Sequence, residues 1–113
     1  GVLDDRAFAE HQAEILRDKQ WGPRQIRGKL GERGVDDETI DEVLAEVGGP
    51  EIWLRGCWRR LRDRFGPGPE EYDQKTKEKA YRHLTHRGYA PSLVRQILFD
   101  GVRPRERQSG EGR

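Results

Sequence analysis

The 113-residue sequence contains one cysteine, no methionine and no apolar run near the ~20 residues that a membrane span needs. A single cysteine cannot close an internal disulfide, so the fold must stand without one, and a reducing, cytoplasmic setting fits. No signal-peptide pattern opens the chain. It starts at Gly1 rather than Met, as a piece cut from a longer protein would. Apolar side chains are scarce, at 32% of residues. Leu, Ile, Val and Phe together number 23, at the border where disorder begins. Disorder also asks for a large net charge, and here the formal charge is only +1. The apolar residues that exist fall in periodic clusters. A folded domain with a thin core is expected.

Other absences narrow the function. There is no Gly-rich phosphate loop with its lysine, which argues against ATP binding. No Ser/His/Asp or Cys/His signature marks a nucleophile, so no enzyme is expected. His83 and His86, at i, i+3, offer with Cys57 three possible metal ligands, but no paired-cysteine spacing supports a metal. No cofactor is expected either. Cys57 lies in an apolar stripe and reads as a small buried hydrophobe.

What is present is charge, unevenly spread. Residues 1–50 carry 12 acidic and 7 basic side chains, a net of −5; residues 51–113 carry 9 and 15, a net of +6. The halves should face different partners, or one oriented partner.

The periodicity is helical throughout, with no alternating strand pattern. Asp4 can cap a first helix with Phe8, Gln12, Ile15 and Leu16 inward. Gly22 and Pro23 open a second, with Ile26 and Leu30 inward, and Trp21 is placed to plug the joint. Gly34 stops that helix, and Asp36 and Asp37 start a third with an Ile40, Val43, Leu44, Val47 stripe. After Gly48-Gly49-Pro50 a fourth helix turns Trp53, Leu54, Cys57, Trp58, Leu61 and Phe65 inward. The Gly66-Pro67-Gly68-Pro69 run is a loop. Asp73 caps a fifth helix carrying Ala80, Tyr81 and Leu84; Gly88 stops it, and Pro91 opens a sixth with Leu93, Val94, Ile97 and Leu98. From Gly101 onward the Arg-, Glu- and Gly-rich composition predicts a disordered tail.

An offset of 54 residues superimposes the two halves. Leu30 falls on Leu84, Arg33 on Arg87, Gly34 on Gly88, Val35 on Tyr89, Ile40 on Val94, Val43 on Ile97 and Leu44 on Leu98. Each half places a glycine where a helix ends in the left-handed conformation, followed by an apolar residue that packs back on the last turn. The fold class is therefore all-α, tandem three-helix repeats forming a short curved array. The expected boundaries are 1–48 and 49–102 for the repeats and 103–113 for the charged tail.

Basic residues are the candidate binding groups. Arg55, Arg59 and Arg62 share a face of the fourth helix at i, i+4, i+7, with Arg60 and Arg64 beside them. The face is either a contact for acidic protein or phosphate, which arginine forks suit, or a solvated surface. Arg24 and Arg27 on the second helix, and Lys75, Lys79, Arg82 and His86 along the fifth, pose the same choice. A tight turn before a basic helix also fits a helix-turn-helix DNA reader, but the neighbouring Glu and Asp would repel a DNA backbone.

These residues also carry a resemblance. Val2-Leu3-Asp4-Asp5-Arg6-Ala7-Phe8-Ala9, Gly22-Pro23-Arg24-Gln25-Ile26-Arg27-Gly28-Lys29-Leu30 and Arg33-Gly34-Val35, followed by Lys77-Glu78-Lys79 to Leu84 and His86-Arg87-Gly88-Tyr89, resemble the RecX family of recombinase regulators. The match runs from residue 1 to about 100. It implies a string of three-helix repeats, usually three, of which this chain lacks the first. It also implies binding to the RecA filament on single-stranded DNA, with restraint of ATPase, strand exchange, coprotease activity and filament growth. Arg24, Arg27, Arg55, Arg59, Arg62, Lys79 and Arg82 are the expected contacts to filament or DNA, by a monomer with no membrane association. A helical nucleic-acid-binding module acting without a protein partner is the alternative.

Overall fold

A computed structural model describes residues 5–105. Six α-helices follow one another: α1 Asp5–Asp18, α2 Pro23–Glu32, α3 Asp37–Val47, α4 Pro50–Phe65, α5 Gln74–His86 and α6 Pro91–Phe99, with a short 3₁₀ turn at Pro69–Glu71 before α5. No strand occurs among the described residues. The helix starts follow the local chemistry. Proline occupies the first turn of α2, α4 and α6, where its missing N–H costs nothing. Asp36 and Asp73 cap α3 and α5 by accepting from the Thr39 and Thr76 amides, at 2.9 and 2.8 Å.

The apolar stripes build two cores. Ala9, Ala13, Ile26, Leu30, Val35, Ile40, Val43, Leu44 and Val47 form the first, from α1, α2 and α3 with the α2–α3 connection. Cys57, Leu61, Ala80, Leu84, Tyr89, Val94, Ile97 and Leu98 form the second, from α4, α5 and α6 with the matching connection. Trp53 packs against both. The molecule is elongated, 52 × 37 × 19 Å.

The matched helix stops are realised bond for bond. Gly34 and Gly88 take φ of +90° and +102°. The Val35 amide then donates to the Leu30 carbonyl at 3.1 Å, and the Tyr89 amide to the Leu84 carbonyl at 3.2 Å. This is the six-to-one bond of a Schellman ending.

Helix α1 departs from expectation. Its buried face is Ala9 and Ala13, not the predicted stripe beginning at Phe8. Leu16 packs at the edge of the core, whereas Phe8 is 38% exposed beneath the Arg33 guanidinium. Two alanines turned inward let α1 lie close on α3, and Arg6 fastens the pair by bonding Glu42 and Glu46 across the gap. Asp4, the expected cap, lies outside the described residues.

The first residues of the expected tail are held in place. Arg103 stacks over Trp58 at 4.5 Å and bonds Glu70 at 2.7 Å, and the Arg105 amide donates to Glu51 at 3.0 Å. Residues 106–113 lie outside the described range.

The two halves join through backbone. The Gly22 amide donates to the Arg87 carbonyl at 2.8 Å, and the Arg24 amide to the Gly88 carbonyl at 3.1 Å. A Cβ on Gly22 would stand 2.3 Å from the Gly88 carbonyl carbon, so the approach requires glycine. Arg87 closes the joint from above. Its guanidinium bonds the Lys19 and Gln20 carbonyls at 2.6 and 3.1 Å and lies 3.8 Å from the Trp21 ring centroid.

Candidate binding clefts

Helix α4 forms the wall of two neighbouring clefts because its N-terminal half leans on the joint while its C-terminal half borders the Gly66–Pro69 loop. The first cleft, about 330 Å³, lies between the halves and is lined by Arg17, Gln20, Trp53, Arg55, Arg59 and Tyr89 among others. The second, bounded by Trp58, Arg59, Arg62, Asp63, Gly66 and Pro67, continues from it through the shared Arg59. A third lies on α5 and α6, between Glu78, Tyr81, Arg82, Arg95 and Phe99.

The seven sequence candidates are divided among several places. Arg55 and Arg59 line the first cleft, Arg59 and Arg62 the second, and Arg82 the third. Arg24, Arg27 and Lys79 are exposed on their helices and line none of these three. Arg27 is tied to Asp41. Arg55 is only partly exposed, 3.5 Å from Glu51, and its buried Nε has no hydrogen-bond partner among the described residues. Arg59 and Arg62 are exposed and form no ion pair among the described residues, although Arg62 stands over Trp58 at 5.8 Å. With Arg64 they are the exposed basic groups of α4 free of ion pairs among the described residues.

Arg60 turns inward, whereas Arg64 is exposed. Arg60 donates from Nε to His83 Nε2 at 3.0 Å. Burial, then the charges of Arg60, Arg64, Arg87 and His86, push His83 down to about 4, so the imidazole is neutral near pH 7. Burial pushes the Cys57 thiol up to about 12, which leaves it unreactive. Among the described residues no group of three His, Cys, Asp or Glu side chains is placed to hold a metal ion. No described helix is long and apolar enough to cross a membrane.

Of the residues lining the first cleft, sequence reasoning named only Arg55 and Arg59 as binding groups; Arg17, Gln20 and Tyr89 are among those it missed. Two signals pointed there. Tyr89 replaces Val35 at a matched apolar position, adding a hydroxyl that a buried plug does not need. Gly56 sits inside a long helix, where glycine costs about 1 kcal/mol relative to alanine. A Cβ there would meet the Tyr89 hydroxyl at 2.9 Å.

Fold and clefts define an all-helical protein of tandem three-helix units with an arginine-lined groove at their joint. Comparison with known proteins points to one family. Residues 4–44 match the model of the RecX second three-helix domain. The chain is 30% identical over 99 residues to the regulatory protein RecX of Chlorobium phaeobacteroides, covering 87% of this chain and 62% of that protein. It is 34% identical over 100 residues to that of Chromobacterium violaceum, covering 88% and 60%. Against that of Thermus thermophilus it is 37% identical over 89 residues, covering 79% and 54%. The chain is similar to RecX-family proteins over most of its own length, and it spans 54–62% of the length of these relatives.

Proposed function

We propose that this chain is the part of a RecX-type regulator that binds a RecA-like recombinase filament on single-stranded DNA and chiefly inhibits it, lowering ATPase, strand exchange, coprotease activity and filament growth. One observation carries the reading: the similarity to proteins named as regulatory RecX runs through both three-helix units. The unpaired Arg59 and Arg62 support it as the main contacts, with Arg24, Arg27, Arg55, Lys79 and Arg82 around them. The units are residues 1–48 and 49–102, followed by a charged tail at 103–113, and the protein works as a cytoplasmic monomer without enzymatic activity. Inhibition follows from bridging neighbouring filament protomers, which resists the movements that accompany ATP turnover.

The test is the single-stranded-DNA-dependent ATPase of the cognate recombinase, titrated with this chain. Dose-dependent inhibition is expected. The double variant R59E/R62E should need roughly tenfold more protein for the same effect, with its helical circular dichroism unchanged, since reversing two interfacial charges costs at least about 1.4 kcal/mol. No inhibition by a helical, monomeric sample overturns the reading. Recombinase-independent DNA binding that weakens steeply with salt would replace it with a nucleic-acid-binding module.

A further inference from the structure

The cleft at the joint holds more hydrogen-bond donors than the protein uses. Tyr89 is 1% exposed, yet it lines the cleft, and its hydroxyl has no hydrogen-bond partner among the described residues. The Arg55 Nε is buried and equally unpartnered. Arg59 adds an exposed guanidinium without an ion pair. Buried polar groups in a folded protein are nearly always paired, so the orphan Arg55 Nε, with the unpartnered Tyr89 hydroxyl at the cleft wall and the free Arg59 beside it, marks a place for an acceptor. Ile52 and Trp53 supply an apolar wall beside them. The whole feature depends on Gly56, since a side chain there would press on the Tyr89 hydroxyl.

The geometry points to a site for one carboxylate side chain of an acidic peptide segment, seated in the joint cleft with an apolar neighbour against Trp53. The carboxylate would accept from the Tyr89 hydroxyl and from the Arg55 and Arg59 guanidiniums, whose planar forks suit two oxygens. A nucleic-acid strand fits less well. Asp18 lines the same cleft, Glu51 stands beside Arg55, and Asp63 lines the next cleft. A strand carrying a charge at every nucleotide would meet those acids and then the acidic first half, whereas one carboxylate placed against Tyr89, Arg55 and Arg59 meets fewer of them. The inference deepens the regulatory reading, on which the identity of the protein that supplies the segment rests. Its test needs no recombinase, so the two fail separately.

The probes are acetyl-Leu-Asp-Glu-Leu-amide, its Asn-Gln counterpart and a short oligo(dT), each titrated into the full chain and followed by amide and indole NMR shifts. The acidic peptide should move the Trp53 indole, Gly56 and Gln20 signals saturably. The neutral peptide should bind about tenfold to a hundredfold more weakly, as loss of charge-assisted bonds implies. Y89F, which keeps the ring that fills the second core, and R59Q should each weaken the acidic peptide several-fold with unchanged dispersion elsewhere. Equal binding of the neutral peptide, shifts confined to other surfaces, or no binding by any probe overturns the proposal. Oligo(dT) moving the same signals while the peptide does not overturns it in favour of a phosphodiester site.

Discussion

Two glycines at equivalent positions do different work, and the difference is measurable. Gly34 and Gly88 both end a helix at positive φ, where an L side chain is strained. A Cβ at Gly34 meets nothing within 4 Å. One at Gly88 would stand 2.5 Å from the Gln25 amide nitrogen, in the backbone of the other half. G34A should therefore cost only the left-handed strain, about 1–2 kcal/mol. G88A adds displacement of a packed backbone and should cost about 3 kcal/mol or more. Urea unfolding midpoints would rank them, and equal losses would contradict the joint described above. From sequence the two positions are indistinguishable, because the neighbour that separates them is 63 residues away.

Between elements, the pairing of α4 with α5 gives stability a pH dependence. His83 takes its hydrogen bond from Arg60 and faces the charges of Arg64, Arg87 and His86. The folded protein holds it near 4, whereas the unfolded chain protonates it near the ordinary 6.5. In that window the unfolded state binds the extra proton, so stability falls as pH drops from about 6.5 towards 4 and levels off below. Asp36 and Asp73 are held below the usual carboxylate range by their cap bonds to Thr39 and Thr76, so their contribution is lost only at lower pH. H83Q, which keeps a polar side chain but cannot titrate, should flatten the dependence between pH 7 and 4.5 in urea melts. An unchanged slope would assign the effect elsewhere. Little of this was legible in the sequence. The helix starts at Pro23, Pro91, Asp36 and Asp73 were, because capping is decided within four residues. The face of α1 was not, because alanine is compatible with inside and outside, and only the close approach of α3 selects Ala9 and Ala13 over Phe8.

At the scale of the whole molecule, the tandem design was readable from the 54-residue offset, but the joint was not. Its members, Lys19, Gln20, Gly22 and Arg24 on one side and Arg87 and Gly88 on the other, meet through backbone amides and carbonyls and the Arg87 guanidinium, in contacts that no periodicity reports. The clefts inherit that illegibility, since Arg17 and Gln20 reach Arg55, Arg59 and Tyr89 only across this joint. Arg87 is the residue on which the joint most depends, because it adds two carbonyl contacts and the Trp21 stack to the backbone bonds. Its equivalent in the first half, Arg33, is exposed and stands over Phe8 instead, so the repeat position was adapted to clasp a neighbour. R87A removes the clasp while leaving both cores intact. The Gly22 and Arg24 amides, bonded across the joint, should then lose hydrogen-exchange protection by tenfold or more relative to the wild type. The Ile40 and Val94 amides, which close the first turns of α3 and α6 within their own halves, should keep theirs. Trp21 fluorescence should shift to the red as its cover leaves. Uniform loss at all four amides would instead mean that the halves unfold as one unit, with Arg87 supporting global stability and not the angle between two cores.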